Sequence, residues 1–155
     1  MMSEKRGQAL RLRCLLYNSR DGSSYFGKST MLLNCLFVGC GGFVGSVLRY
    51  LCSQIKVELW EFPLVTLGIN VVGSFAILFF TGLFAKAMPL DAHLMLFLRV
   101  GLCGGFTTFS TFSAETLGLI ESGNILAAVA YAVASCALCL LAAWLGEMAS
   151  AAIAG

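Results

Sequence analysis

The sequence predicts an all-α integral membrane protein of four spans, the third broken near mid-depth. Three observations carry that prediction. The 155 residues are 59% hydrophobic and 12% charged, with a mean hydropathy of +0.87, too apolar for an ordinary soluble domain. Four apolar stretches, each of about twenty residues, match the hydrocarbon thickness of a bilayer. Inside the third lies Gly101-Leu102-Cys103-Gly104-Gly105-Phe106-Thr107-Thr108-Phe109-Ser110-Thr111-Phe112-Ser113, where glycine and β-branched threonine both weaken helical propensity. The length leaves no room for a separate soluble catalytic domain, so one membrane domain over residues 31–150 is expected.

Charge is concentrated at the start. Residues 1–30 hold Lys5, Arg6, Arg11, Arg13, Arg20 and Lys28, six of the ten Lys and Arg, against Glu4 and Asp21. This segment reads as a basic, disordered tail, because it lacks the apolar run of a signal peptide. Leu10, Leu12, Leu15 and Leu16 among the arginines offer an alternative, a short interfacial helix. Met31, directly before the first span, is an alternative start of translation.

The first span is expected from Met31 to Ser53, apolar apart from Asn34, Ser46 and Arg49. Its Gly41-Gly42-Phe43-Val44-Gly45 places small residues four apart, a spacing that lets a second backbone approach closely. Arg49 near the end of the span admits two readings. It is either a snorkelling arginine beside the interfacial Tyr50 or an anion-attracting charge at a pore mouth.

After a connection bearing Lys56, Glu58, Trp60, Glu61 and Pro63, the second span runs from Leu64 to Ala85. Thr66, Asn70 and Ser74 recur every fourth residue and share one helical face. An amide at mid-span flanked by aligned hydroxyls points to a cavity or a partner helix. Gly68 and Gly73 suit close packing beside it. A loop of Lys86, Pro89, Asp91 and His93 follows, and the lone His93 has no companion ligand for a metal.

The third span is expected from Leu94 to Ile120, with Arg99 in its first half and Glu115 two residues beyond the polar run. Irregular backbone persists at membrane depth only where protein, water or an ion satisfies it. Carbonyls released between Gly104 and Thr107 would make an oxygen cage suited to sodium. Glu121-Ser122-Gly123-Asn124 is a turn with Asn124 as N-cap of the fourth span, Ile125 to Glu147. In that span Tyr131, Ser135 and Cys139 recur every fourth residue, and Trp144 fits the interface. The seven cysteines lie mostly in apolar segments, where thiols act as small hydrophobes. Cys136-x-x-Cys139 lacks the second pair of a zinc site.

The chemistry follows from what is absent as much as from what is present. There is no Ser/His/Asp set, no pair of buried carboxylates and no phosphate-binding glycine loop, so an enzyme is not expected. The buried polar groups are neutral donors: Thr66, Asn70, Ser74, Thr107, Thr108, Ser110, Thr111, Ser113, Tyr131 and Ser135. Such donors replace the hydration of a small anion as carbonyls replace that of potassium in cation filters. Phe109 and Phe112, three apart, put two rings on one side of a helix. They serve either as packing residues or as positive ring edges facing an anion.

Three motifs, Gly41-Gly42-Phe43-Val44-Gly45-Ser46-Val47-Leu48-Arg49-Tyr50, Thr66-Leu67-Gly68-Ile69-Asn70-Val71-Val72-Gly73 and Gly104-Gly105-Phe106-Thr107-Thr108-Phe109-Ser110-Thr111-Phe112, occur in an order that resembles the Fluc/CrcB family of fluoride channels. The likeness runs from about Met31 to Ala149. It implies an antiparallel, dual-topology homodimer of four-helix subunits in the plasma (cell inner) membrane, with two pores and a structural sodium on the two-fold axis. Carried over by position, Gly104 and Thr107 resemble the backbone sodium ligands. Asn70 resembles the pore amide, Phe109 and Phe112 the fluoride-facing phenyl pair, and Ser110 and Thr111 a polar track, with Thr66 also counted among the pore residues. Arg49 resembles the vestibule arginine and Glu115 the acidic residue after the motif. Tyr131 and Ser135 match the polar line of the fourth helix, where Cys139 replaces a frequent serine.

The implied function is passive, fluoride-selective export that relieves fluoride toxicity, with fluoride, lipid and a second subunit as partners and no nucleic acid. The six cations of the tail favour a cytoplasmic N-terminus. They imply either translation from Met31 or pairing with an oppositely inserted homologue. A four-helix multidrug or cation exporter is the alternative, but it needs a membrane-embedded carboxylate that the first span lacks. A noncatalytic assembly subunit is the third reading.

Overall fold

The computed structural model describes residues 28–55, 62–86 and 91–153. The basic tail up to residue 27, the loop with Lys56, Glu58, Trp60 and Glu61, and Pro89 lie outside the described residues. Among those described, every regular element is helical. Helix α1 spans Lys28–Ser53 and α2 spans Leu64–Lys86. The third span opens with α3 (Ala92–Met95), widens into a π-helix (Leu96–Cys103), closes with the short α4 (Gly104–Phe106) and resumes as α5 (Phe109–Glu121). Helix α6 runs Ile125–Ile153. Among the described residues, four stretches are long and apolar enough to cross a membrane: Thr30–Ser53, Leu64–Ala85, Ala92–Glu121 and Ile125–Ile153.

Two boundaries differ from expectation. Helix α1 starts at Lys28 rather than Met31, three residues earlier. Helix α6 continues past Glu147 to Ile153, because Ala149, Ala151 and Ala152 favour helix and the last turn has something to pack on. Ser150 is fully buried there; its Oγ donates to the Glu147 carbonyl at 2.7 Å, and a side-chain carbon at Gly82 would collide with it.

The small-residue motif of α1 does what its spacing suggests. A Cβ on Gly41 would meet the Phe97 carbonyl and stand 3.0 Å from the Gly101 Cα, and one on Gly105 would lie 2.7 Å from the Gly42 carbonyl. Backbone therefore touches backbone between α1 and the first half of the third span. A similar approach joins α2 to α6, where Gly146 faces the Phe75 carbonyl. Small residues at helix crossings replace the hydrophobic drive that is missing in lipid.

The return from α5 to α6 is a Schellman turn. Gly123 N–H donates to Ile120 and Asn124 N–H to Leu119, at 3.0 and 2.9 Å, with Gly123 at φ 81°, a left-handed conformation that glycine adopts without steric cost. Leu67, Leu119, Ala128 and Tyr131 form a small core beneath this end, joined by Phe62, Leu64, Val71 and Phe112. Large apolar side chains such as Leu126 and Leu140 point outward, the arrangement expected of a lipid-facing surface.

Candidate ion site at the interrupted span

The third span breaks, but not at its glycines. Gly101, Gly104 and Gly105 remain helical, whereas Thr107 (φ −73°, ψ 157°) and Thr108 (φ −149°, ψ 114°) are extended. Glycine weakens a helix by only about 1 kcal/mol, and here the close crossing of α1 offsets that cost. Threonine supplies the alternative partners that make the break stable. Thr107 Oγ1 donates to the Cys103 carbonyl at 3.0 Å. Thr108 is the N-cap of α5, and its Oγ1 accepts from Thr111 N–H at 3.2 Å, satisfying one of the orphan donors at a helix start.

Asn70 pins the extended pair. Its Nδ2 donates to the Thr108 carbonyl at 3.0 Å, and its Oδ1 accepts from Thr108 N–H at 2.8 Å. One side chain thus satisfies both backbone groups of one residue at membrane depth, where an unpaired group is costly. The side effect is chemical. In a continuous helix Thr108 N–H would bond the Gly104 carbonyl and Thr111 N–H the Thr107 carbonyl. Both donors are turned elsewhere, so these two carbonyls are released from the helix. Uncharged oxygens of this kind suit a hard cation. The neighbouring Gly105 carbonyl is taken by Arg49 Nε at 3.1 Å, which fixes the α1 cation against the break.

A cleft of about 380 Å³ opens beside the break, lined by Asn70, Gly73, Ser74, Ile77, Cys103, Thr107, Thr108, Phe109, Phe112, Ser135, Cys136 and Cys139. Asn70 and Ser74 of the α2 stripe meet Ser135 and Cys139 of the α6 line here. Ser135 is 6% exposed, and its buried Oγ has no hydrogen-bond partner among the described residues. The rings of Phe109 and Phe112 lie 5.5 Å apart at 40°. Phe109 is 79% exposed, while Phe112 packs on Tyr131 at 5.2 Å.

Other residues singled out from the sequence gather elsewhere. Glu115 accepts from Thr66 Oγ1 on Oε1 and from Tyr131 Oη on Oε2, both at 2.7 Å. Tyr131 is fully buried and meets Phe62 edge to face. These three form a partly buried polar clamp tying α2, α5 and α6 together, outside the lining of the cleft. Ser110 and Thr111 likewise stay out of that lining and approach Thr108 Oγ1 at 3.2 and 3.0 Å. Sequence reasoning missed Thr108 as the residue on which Asn70 acts, and Cys103 and Cys136 as lining. A hydroxyl residue immediately before the resumed helix is the signal that would have found the cap.

The family model described as CrcB-like protein, Camphor Resistance (CrcB), matches residues 36–147. A fluoride-specific ion channel FluC of Ruminiclostridium cellulolyticum is 44% identical over 125 residues, covering 79% of this chain and 96% of the relative. One from Paramagnetospirillum magneticum is 45% identical over 127 residues, covering 77% and 96%, and one from Nitrobacter winogradskyi is 49% identical over 106 residues, covering 66% and 83%. The match takes in the crossing glycines, the α2 stripe, the interrupted span and most of α6, and on that ground the chain belongs to the CrcB family.

Proposed function

We propose that this multi-pass plasma membrane protein is a fluoride-selective channel that lets cytoplasmic fluoride leave down its electrochemical gradient. The observation that carries the reading is the Asn70-pinned break beside a cleft lined by hydroxyls, an amide and two phenyl rings. Fluoride loses strong hydration on entering a membrane. Neutral donors with no fixed negative charge on the wall offset that loss, and a ring turned edge-on adds a weakly positive contact. Release matters because neutral HF crosses lipid from acidic surroundings and ionises inside, where the anion is trapped. The activity is conduction, and no covalent step is assigned to any residue.

In the same reading the Gly104 and Thr107 carbonyls would hold a sodium ion, with the same pair from a second, oppositely inserted subunit completing the oxygen set. The bound cation would supply positive potential at mid-membrane. The outward exposure of Gly104 supports a partner at that point. Asn70, Phe109, Phe112 and Ser135 would line the path, Thr66, Ser110, Thr111, Tyr131 and Glu115 would hold its walls, and Arg49 would draw anions toward the break.

Reconstitution in liposomes with fluoride-, chloride- and proton-sensing electrodes tests the proposal. Fluoride release without chloride release is expected, and Phe109→Ile and Asn70→Asp should each suppress it. Normal conduction by both variants would remove these residues from the path. Equal fluoride and chloride release would remove the selectivity. Epitope mapping of the full chain should find both orientations in a homodimer, or one orientation and an oppositely inserted homologue.

A further inference from the structure

The cleft has two unlike ends. The pairings of Thr66 with Glu115, Asn70 with Thr108 and Gly73 with Thr107 run α2 antiparallel to the third span, so Phe112 lies toward one end of the lining and Cys103 toward the other. Beyond Phe112 stands the Glu115 carboxylate with its two hydroxyl donors. About one turn before Cys103, on the π-helix, stands Arg99.

The fold leaves Arg99 uncompensated. The residue is half-buried, and its buried Nε has no hydrogen-bond partner among the described residues. No described carboxylate pairs with the guanidinium: Asp91 accepts from the His93 N–H, and Glu115 from Thr66 and Tyr131. Arg49, by contrast, has the Gly105 carbonyl. A buried lysine can shed its proton, but a guanidinium keeps its charge, and a charge within a membrane segment marks either a partner or an ion path. The position of Arg99 favours the path. In a π-helix, whose bonds run from i to i+5, residues four apart lie on nearly the same face, and Arg99 is close enough to Cys103 for its charge to act there. Cys103 lines the cleft. Positive potential therefore enters the cleft at its Cys103 end, opposite the Glu115 clamp.

We propose that Arg99 is an anion-binding station at the Cys103 end of the cleft, where its guanidinium attracts fluoride passing between the cleft and the water at the start of the third span. The transport role rests on the channel reading, whereas the uncompensated guanidinium does not. A fixed positive charge beside a passage with low-dielectric walls concentrates counter-ions. Its effect is on occupancy more than on the maximal rate. A lipid phosphate is the other source of an anion at this depth, and the test separates the two.

Fluoride efflux from liposomes of the full chain is followed over a range of fluoride concentrations, in phosphatidylcholine alone and with phosphatidylglycerol added. Arg99→Gln should raise the half-saturating fluoride concentration about tenfold, the low end of the gain from such focusing, with maximal efflux changed less than about twofold. Arg99→Lys, which keeps the charge without the planar fork, should stay within about threefold of native. Arg99→Met repeats the neutral test with an apolar chain and guards against a folding defect of the first variant. In detergent, sodium fluoride in place of sodium gluconate should raise the unfolding midpoint of the native chain, as a ligand of the folded state does, and raise that of the neutral variants less. An unchanged half-saturating concentration in both neutral variants overturns the proposal. So does a loss confined to the vesicles with phosphatidylglycerol, which assigns the guanidinium to lipid phosphate, or a loss as large in Arg99→Lys as in Arg99→Gln, which assigns it to packing. If the native chain passes no fluoride, the channel reading is what fails; a midpoint shift that depends on Arg99 still upholds the anion site, and equal shifts in native and neutral variants remove it.

Discussion

The two halves of the interrupted span are held by opposite means. The first half, from α3 to α4, is fixed mainly by the absence of side chains: Gly101 and Gly105 let it lie against Gly41 and Gly42 of α1, backbone on backbone, with one added hydrogen bond from Arg49 Nε to the Gly105 carbonyl. The second half, α5, is fixed by side chains. Thr108 caps it, Asn70 grips the residue at which it starts, and Glu115 ties it to Thr66 and Tyr131. Dispersion at short range fixes a distance without fixing a rotation, whereas directional hydrogen bonds fix both. The half that carries the two phenyl rings to the cleft is the one with more directional restraint. A polar lining has to be aimed, while a crossing has only to be close.

Four substitutions would break or sharpen that contrast. The largest effect is expected from Asn70→Ala, which strands the Thr108 N–H and carbonyl together. At 1–3 kcal/mol for each buried group left unpaired, a loss on the order of 3 kcal/mol and at least about a hundredfold in fluoride efflux is expected. Native efflux would mean that the break holds without its pin. Gly105→Val should come next. Its side chain would run into the Gly42 carbonyl, at the roughly 2 kcal/mol typical of overpacking, lowering the unfolding midpoint in detergent. A midpoint no lower than native would show that the crossing has slack. Tyr131→Phe removes one of the two donors to Glu115 and should cost about 1.5 kcal/mol, the range for a hydrogen bond to a carboxylate. If pairing it with Thr66→Val gives strictly additive losses, the three residues do not act as one clamp. The smallest effect, about 1 kcal/mol for a lost N-cap, belongs to Thr108→Val, and it should appear as faster amide exchange in the first turn of α5 alone.

Much of this was legible in the residues. Four apolar runs of membrane length, small residues four apart in α1 and a polar stripe of Thr66, Asn70 and Ser74 each state a physical requirement that a local pattern can express. The place of the break was legible only to within a few residues. The weak helix formers marked a stretch from Gly104 to Thr107, and the extended backbone sits at its far end, at Thr107 and Thr108, because the glycines are compensated by a helix distant in sequence. The aim of Glu115 was hidden for the same reason. Its partners Thr66 and Tyr131 stand 49 and 16 residues away, and no local spacing records such a meeting. The length of α6 was misjudged where a charged residue, Glu147, suggested an end that Ser150 and Gly82 carry further.

That extra length has a consequence for the surrounding lipid. Twenty-nine residues of helix rise to roughly 44 Å, at about 1.5 Å per residue, well beyond an oily layer of about 30 Å. Either the final turns stand clear among the headgroups or the rod leans. Gly82 with Ser150, and Phe75 with Gly146, rivet α6 to α2 along its far portion, so a lean would carry α2 and its Asn70 with it. Acyl-chain length thereby becomes a handle on the mid-membrane geometry, applied from more than one turn away.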